Sequence, residues 1–423
     1  MPDVTGHPPR EEMLRRAQDM IPVVRERAAA AEASGRIPEE TIRELHENGL
    51  WRINQPARVG GGEYDFRLLT EVAQELARGC GSTGWVYINL AVHHWMLAMW
   101  DPEGQDRVWS ENPDALIASS VIYPAGKAVT VDGGYRLTGR WPFCSGIRHS
   151  EWIMIGGMVE GAGADGGPEP RVFLVPVADM TVHDAWDVMG LRATGSVDSE
   201  CADLFVPGHM TLAGSATRGD TTPGSAVNPS PLFRQSVGGL FPHMISTVLL
   251  GISRGIFDVG VEMMRARSAR QTGRKIAELV PVQNRVAEAG AMIDAGRALL
   301  FANFAESLAF AEAGQVPPVE AKLRWRRDGA YAAKLAADAG RGLFRIMGAS
   351  ALVETGAFQR PIRDLTAGTT HDGRDDPRAC FVGDQRPRPR TGHPRPRDRQ
   401  PDHLDCAYAR CSAQSLLPLG SRR

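Results

Sequence analysis

The sequence predicts an α+β multi-layer fold in three parts: an N-terminal α-helical domain over residues 1–114, a middle antiparallel β-barrel domain over 115–210, and a C-terminal helix bundle over 211–371. Three changes of pattern carry that expectation. Apolar residues recur every three or four positions in the first hundred residues. They recur at every second position from Ala115 to about Pro207. The three-to-four spacing then returns in long alanine-rich stretches beyond residue 235.

In chain order, Met13, Leu14, Ala17, Met20, Ile21, Val24, Ala28 and Ala31 form one helical stripe. A second helix starts at Pro38, carries Glu39 and Glu40 in its first turn, and stops at Asn48-Gly49, where glycine accepts a left-handed cap. Asp65 can cap a third helix through Leu68, Leu69, Val72 and Leu76. Gly79 and Gly81 break it, and Ser82 opens a fourth, aromatic-rich helix holding Trp85, His93, His94, Trp95 and Trp100. Strand runs follow at 115–123, 127–131, 135–143, 152–159 and 171–177, with a hairpin at Asp132-Gly133-Gly134. After a polar linker over 214–231, helices are expected near 235–270, 281–314 and 318–348, with Pro281, Pro317 and Pro318 at the breaks. From Asp372 the chain is rich in Arg, Pro and Asp, a composition that predicts a disordered tail over 372–423.

Composition excludes several classes. Apolar residues are 43% and charged residues 23% of 423, ordinary for a globular chain, and the net charge of −2 gives no electrostatic support for nucleic-acid binding or for a membrane surface. No stretch of 18 consecutive apolar residues occurs and the N-terminus lacks an apolar signal region. Six cysteines without a Cys-x-x-Cys pair, in a chain that needs no disulfide scaffold, point to a reducing cytoplasm.

Candidate site residues fall in five places. Leu137–Gly146 ends a strand with Trp141, Phe143, Cys144 and Ser145, which offers π surface and hydrogen bonds to a flat heteroaromatic ring. An ordinary strand end with packed aromatics has the same composition. Trp85, His93 and His94 share one helix. A neutral histidine there can bind or deprotonate a phenol-like group, a core histidine pair reads the same way, and no further ligands at supporting spacing suggest a metal. Ser119-Ser120 lies in the first strand, Leu191–Ser196 forms a tight turn with Thr194, and Gly368-Thr369-Thr370-His371 reads as a loop after the bundle. No phosphate-binding loop, dinucleotide fingerprint, nucleophile elbow or His-Glu-x-x-His motif occurs.

These features together resemble the acyl-CoA dehydrogenase fold over roughly residues 12–371. The marks are Pro56–Gly62, Tyr135–Trp141, Gly190–Ser196, Gln283, Met347-Gly348 and Gln359–Asp364. The resemblance implies a flavoprotein, usually a homotetramer with flavin held between subunits. Dehydrogenases of this fold need a carboxylate base, in many of them in a Glu-Gly-Thr loop; here that segment is Ala367-Gly368-Thr369, followed by His371. With Gly81–Trp85 and Gly139–Gly146, the sequence looks instead like the oxygenase components of two-component flavin-dependent monooxygenases, the group of the 4-hydroxyphenylacetate 3-hydroxylases and HsaA-like phenol hydroxylases.

The resemblance implies the following. A separate NAD(P)H-dependent flavin reductase supplies reduced FMN or FAD, O2 adds at the flavin C4a position, and the resulting hydroperoxide hydroxylates a small aromatic substrate, commonly a phenol. His93 with Ser119 or Ser120 would touch the phenol oxygen, and Arg234 would be an active-site cation. Trp85, Trp141, Phe143, Cys144, Ser145, Thr194 and Gln283 would border the flavin, with Ser145 at N5. His371 would support oxygen activation, the third catalytic residue beside His93 and Ser145. Two other readings stay open: a dehydrogenase-like flavin oxidoreductase, and a weakened flavoprotein scaffold. In the group, a further apolar helix follows this histidine; the Arg/Pro-rich tail here is what a reading-frame change near residues 371–373 would produce.

Overall fold

Proline and glycine set the boundaries of the first helical layer. In the computed structural model, which describes residues 7–163, 166–269, 272–353 and 357–370, the N-terminal stripe divides into α1 (Arg10–Asp19) and α2 (Ile21–Ser34). Pro22 in the first turn of α2 explains the division, because a proline inside one continuous helix would lose a backbone bond and clash with the preceding turn. The stripe itself is intact: Met13, Ala17, Met20, Val24, Ala28 and Ala31 are all buried. α3 (Glu39–Glu47) starts after Pro38 and is ended by Gly49 at φ +70°. α4 (Phe66–Gly79) is capped by Asp65, whose carboxylate accepts the Leu68 N–H at 2.9 Å. Extended Cys80 separates it from α5 (Gly81–Leu97), and α6 (Pro102–Trp109), a helix not anticipated from the pattern, follows its Asp101 cap.

The β region contains β1 (Ile117–Ser120), β2 (Gly126–Val131), β3 (Gly134–Cys144), β4 (Trp152–Val159), β5 (Glu169–Pro176), β6 (Thr181–His183), β7 (Val197–Pro207) and β8 (Thr211–Ala213). They form one sheet in the order β6-β7-β3-β2-β4-β5-β8, with β1 on β4. The expected antiparallel barrel is corrected in one respect: the sheet is mixed, because β1 and β2 both run parallel to β4. β1 pairs with Trp152–Ile155 and β2 with Met158-Val159, and the short turn Tyr123–Ala125 crosses between them over Gly156. A Cβ at Gly156 would stand 2.8 Å from the Tyr123 nitrogen, so glycine is required at that crossing. Period-two burial reports which face is covered and says nothing of strand direction. The Asp132-Gly133 hairpin is present, with Gly133 at φ +74°.

The C-terminal layer comprises α7 (Val237–Leu240), α8 (Pro242–Ala266), α9 (Val280–Glu312), α10 (Val319–Met347) and α11 (Gln359–Thr370). By length and composition Val237–Ala266 is apolar enough to cross a bilayer, yet 67% of its most apolar window is buried against its neighbours. Gly368-Thr369-Thr370, expected as a loop, is the last turn of α11. Thr369 and Thr370 turn their hydroxyls back onto the carbonyls of Thr366 and Ala367, both at 2.7 Å, as threonines within a helix can. His371 and the 372–423 tail lie outside the described residues.

Two predictions follow from this packing. α4 and α5 touch at Gly84, where a Cβ would meet the Ala77 Cβ at 2.5 Å and the Ala77 Cα at 2.7 Å. Gly84→Ala should therefore cost about 1–3 kcal/mol in denaturant unfolding; an unchanged midpoint would contradict the close approach. The second concerns acid. Burial lowers His93 to about 4, His94 to about 3 and His243 to about 4, so all three are neutral at pH 7. Unfolding releases them to an ordinary value of about 6.5. Their contribution is complete above that value and is lost as pH falls through the window down to about 4, each adding at most about 1.4 kcal/mol per pH unit. Burial pushes the Asp364 carboxyl the other way, up to about 6, so its ionisation costs stability as pH rises to 6 and that cost is relieved in acid. Three histidines outweigh one carboxyl, and the urea midpoint should fall between pH 7 and pH 4.5. A midpoint that rises on acidification contradicts neutral burial.

Candidate functional site

The turn between β6 and β7 organises the site. Leu191, at φ +54°, and Gly195, at φ +52°, flank a single helical turn. A branched side chain is rarely found in that left-handed region, and holding it there costs on the order of 1–3 kcal/mol. The neighbours hold it. The Leu191 N–H donates to the Asp364 carboxylate on α11 at 2.6 Å, and its carbonyl accepts from Trp186 Nε1 at 3.2 Å and Thr194 Oγ1 at 2.8 Å. Gly190 lies so close to α11 that a Cβ would stand 2.3 Å from the Arg363 carbonyl oxygen. Asp364 is buried and lies beside Gly81, the first residue of α5, whose positive helix end favours a carboxylate.

This turn presents Thr194 and Ser196 to the end of β3. Thr194 Oγ1 is 2.7 Å from Ser196 Oγ, which is 2.7 Å from Ser145 Oγ, and Ser145 Oγ accepts from Trp85 Nε1 at 3.1 Å. All four side chains are buried. Trp85, Ser145 and Thr194, expected at the site from three distant sequence segments, thus form one connected cluster. Ser196 completes it; it stands in the Leu191–Ser196 motif, but nothing in the sequence separated its hydroxyl from an ordinary turn serine. Gly368 packs α11 beneath the same indole, with a hypothetical Cβ 3.5 Å from Trp85 and 2.5 Å from Leu249.

A β-bulge sorts the remaining β3 residues. Between Trp141 and Cys144 the strand carries one residue more than β7 opposite. Phe143 takes φ +64° and turns outward, 51% exposed, edge-on to Trp186 at 6.2 Å. Trp141 and Cys144, expected to border the flavin, turn inward and are buried. The Trp141 indole has no exposed surface and donates to the Gly156 carbonyl at 2.7 Å. The Cys144 thiol contacts Ser199 Oγ at 3.2 Å, and burial pushes it up to about 11, so it stays protonated.

His93 lies farther along α5, against β1. Its Nδ1 is 2.7 Å from the Ile117 carbonyl, which can only accept, so Nδ1 carries the proton and Nε2 is a bare lone pair, buried and without a hydrogen-bond partner among the described residues. The Phe241 ring lies 5.9 Å from the imidazole, tilted by 31°, a neighbour the sequence did not single out. Ser120 Oγ donates to the Pro142 carbonyl at 2.7 Å, tying β1 to the end of β3, and Ser119 beside it is half-buried. His94 is turned away and accepts from Trp109 Nε1 at 3.3 Å.

Two expected residues are not brought to this cluster. Arg234 donates to the Ala311 carbonyl at the end of α9, and Gln283 is exposed at the start of α9 and donates to the Ala277 carbonyl. His371 lies outside the described residues. The buried hydroxyl cluster, the aromatic pair Phe143–Trp186 at its edge and the bare His93 Nε2 fit a flat, hydrogen-bonding ring system such as a flavin together with a small aromatic partner.

Comparison with known proteins agrees. Residues 10–110 match the family model "Acyl-CoA dehydrogenase, N-terminal domain" and residues 243–375 match "Acyl-CoA dehydrogenase, C-terminal domain". The chain is 37% identical over 371 residues to the flavin-dependent monooxygenase oxygenase subunit HsaA of Rhodococcus jostii, covering 87% of this chain and 96% of that protein. It is 32% identical to the FADH2-dependent resorcinol hydroxylase oxygenase component of a Rhizobium species, covering 86% and 90%. The crystal structure of 3-HSA hydroxylase from Rhodococcus sp. RHA1 superimposes with a TM-score of 0.80 at 36% identity, covering 88% of this chain and 95% of that one. The chain belongs to the oxygenase components of the flavin-dependent monooxygenases, a group built on the acyl-CoA dehydrogenase fold.

Proposed function

We propose that this protein hydroxylates a small phenolic compound in the cytoplasm, as a homotetramer supplied with reduced FMN or FAD by a separate NAD(P)H-dependent reductase. The observation that carries the substrate class is the His93 tautomer. A neutral imidazole with a bare, buried Nε2 accepts a hydrogen bond from a phenolic O–H, and drawing on that proton raises electron density at the ring carbons ortho to it. Reduced flavin, when bound, supplies the electrons that activate O2 and the oxygen atom that reaches the ring.

The chain's own residues do the rest. Ser145 and Trp85 border the flavin ring, and Thr194 and Ser196 fix the Ser145 hydroxyl. Phe143 and Trp186 offer an aromatic edge. Ser120 holds the end of β3 against β1 and so links the flavin side to the His93 side. Burial keeps water from both. By the sequence resemblance, His371 supports oxygen activation.

The direct test is oxygen consumption with NADH, a generic flavin reductase and a panel of phenols, scored as hydroxylated product against hydrogen peroxide. Product should form with at least one phenol. Peroxide alone across phenols, anilines and indoles would overturn the proposal. Within that assay, Ser145→Ala should weaken reduced-flavin binding by roughly 0.5–1.5 kcal/mol, the size of one neutral hydrogen bond. His93→Leu should raise the phenol KM about three- to tenfold while leaving the reduced-flavin Kd in place. If His93→Leu instead shifts flavin binding and spares phenol binding, the two halves of the site have been assigned in reverse.

A further inference from the structure

The hydrogen-bond polarity of the hydroxyl cluster has one consistent solution. Thr194 has a single hydroxyl proton and two neighbours. The Leu191 carbonyl, at 2.8 Å, can only accept, whereas Ser196 Oγ, at 2.7 Å, can do either. Every contact is satisfied only when Thr194 donates to Leu191 and Ser196 donates to Thr194. The Ser196 proton is then used, so Ser145 must donate to Ser196 across the next 2.7 Å. The Ser145 proton is used in turn, and its oxygen accepts the Trp85 N–H at 3.1 Å, which can only donate. The chain of protons therefore runs one way, from Trp85 through Ser145, Ser196 and Thr194 to the Leu191 carbonyl. All of these groups are buried, where low dielectric makes an unmade link costly.

We propose that this relay makes Ser145 an obligate hydrogen-bond acceptor towards the flavin, and that Thr194, by anchoring the relay on the Leu191 carbonyl, is the positioning residue that selects reduced over oxidised flavin. The inference rests on the flavin reading of the site. The chemistry is general: of the two central-ring nitrogens of oxidised flavin, N10 carries the ribityl chain and N5 is an unprotonated acceptor, and reduction places an N–H at N5. An acceptor-only hydroxyl pairs with the N–H and faces the oxidised nitrogen lone pair against lone pair. An unpaired buried polar contact of that kind is disfavoured. A component that takes reduced flavin from a separate reductase gains from such a filter, because oxidised flavin is the form it must release.

The anchor itself is rigid. Leu191 is held at its N–H by Asp364, and its carbonyl is held by Trp186 Nε1 and by the Thr194 backbone N–H at 3.2 Å, independently of the Thr194 hydroxyl.

The experiment is equilibrium binding, with no turnover. Oxidised FMN and, under anaerobic conditions, dithionite-reduced FMN are titrated into the full-length protein, and the ratio of the two Kd values is read. Wild type should favour the reduced form. Thr194→Val keeps the side-chain shape, removes the anchor and frees Ser196 and Ser145 to reverse. The ratio should fall at least about fivefold, with oxidised FMN binding more tightly and reduced FMN more weakly, the scale of one neutral hydrogen bond. Thr194→Ser restores the hydroxyl and should restore the ratio. Should Thr194→Val fail to fold, Ser196→Ala breaks the relay one link later and should produce the same fall. An unchanged ratio in a folded Thr194→Val or Ser196→Ala protein overturns the relay and leaves the proposed function standing. Equal weakening of both flavin forms overturns it too, since that is the mark of a merely structural role. A wild-type protein that binds neither form overturns the proposed function itself.

Discussion

The left-handed Leu191 peptide is the constraint on which the site depends. One residue supplies an N–H to a carboxylate on α11, a carbonyl to an indole and a hydroxyl on either side of it, and a φ that few leucines adopt. The strain of that conformation is held by Trp186 and Thr194 close by in the chain and by Asp364, 173 residues away on α11. Arg363 adds a further tie from α11 to the Met189 carbonyl at 2.6 Å, and Glu32 on α2 pairs with both Arg363 and Arg360 at 2.5 and 2.7 Å. The N-terminal layer, the sheet and the last helix thus converge on one backbone turn. Interior packing resists small shifts, so the distances between Ser145, Ser196 and Thr194 are set by how these layers meet and not by the turn alone.

Burial fixes the chemistry of the groups that surround the turn. His93 is held neutral, with its proton on the side of the β1 carbonyl, and so offers a lone pair where a charged imidazolium would offer a donor. Cys144, pushed up to about 11, is a thiol that packs and does not attack. Low dielectric disfavours the charged form in both cases. The result is a site of neutral donors and acceptors, suited to orienting uncharged rings and to excluding water from a reactive oxygen species.

Much of this was legible in the sequence because it lay in local patterns. The stripe from Met13 to Ala31, the Asp65 cap, the Gly49 stop and the Asp132-Gly133 hairpin each depend on a few neighbouring residues, and each is present. The departures are non-local. Two strands parallel to β4 leave no trace in period-two alternation. The bulge at Pro142-Phe143 inverts which of Trp141, Phe143 and Cys144 faces inward, although the plain alternation of β3 gives no sign of the extra residue. Ser196 and Asp364 were in view as parts of motifs, yet their partnership with Ser145 and Leu191 crosses 51 and 173 residues of chain. Gly368 reads as a loop glycine until Leu249 and Trp85 are placed against it; then its lack of a side chain is a packing requirement inside a helix.

That last packing also bears on the choice between oxygenase and dehydrogenase chemistry. A dehydrogenase of this fold needs a carboxylate free to remove a proton from carbon, and Ala367 occupies the position before Gly368 where the sequence resemblance would put one. A carboxylate does reach the turn, on Asp364, but one of its oxygens is engaged by the Leu191 N–H at 2.6 Å and the group is enclosed between α11 and the start of α5. Withdrawing it to act as a base would release the strained peptide and with it the Thr194 anchor. The same carboxylate cannot both hold the turn and carry a proton away from a substrate. Among the described residues its commitment to structure leaves His93, held neutral by burial and offering a lone pair, as the proton acceptor, a group suited to polarising a phenol. The commitment of Asp364 to the Leu191 N–H, with Ala367 before Gly368, therefore favours oxygen transfer over α-proton removal.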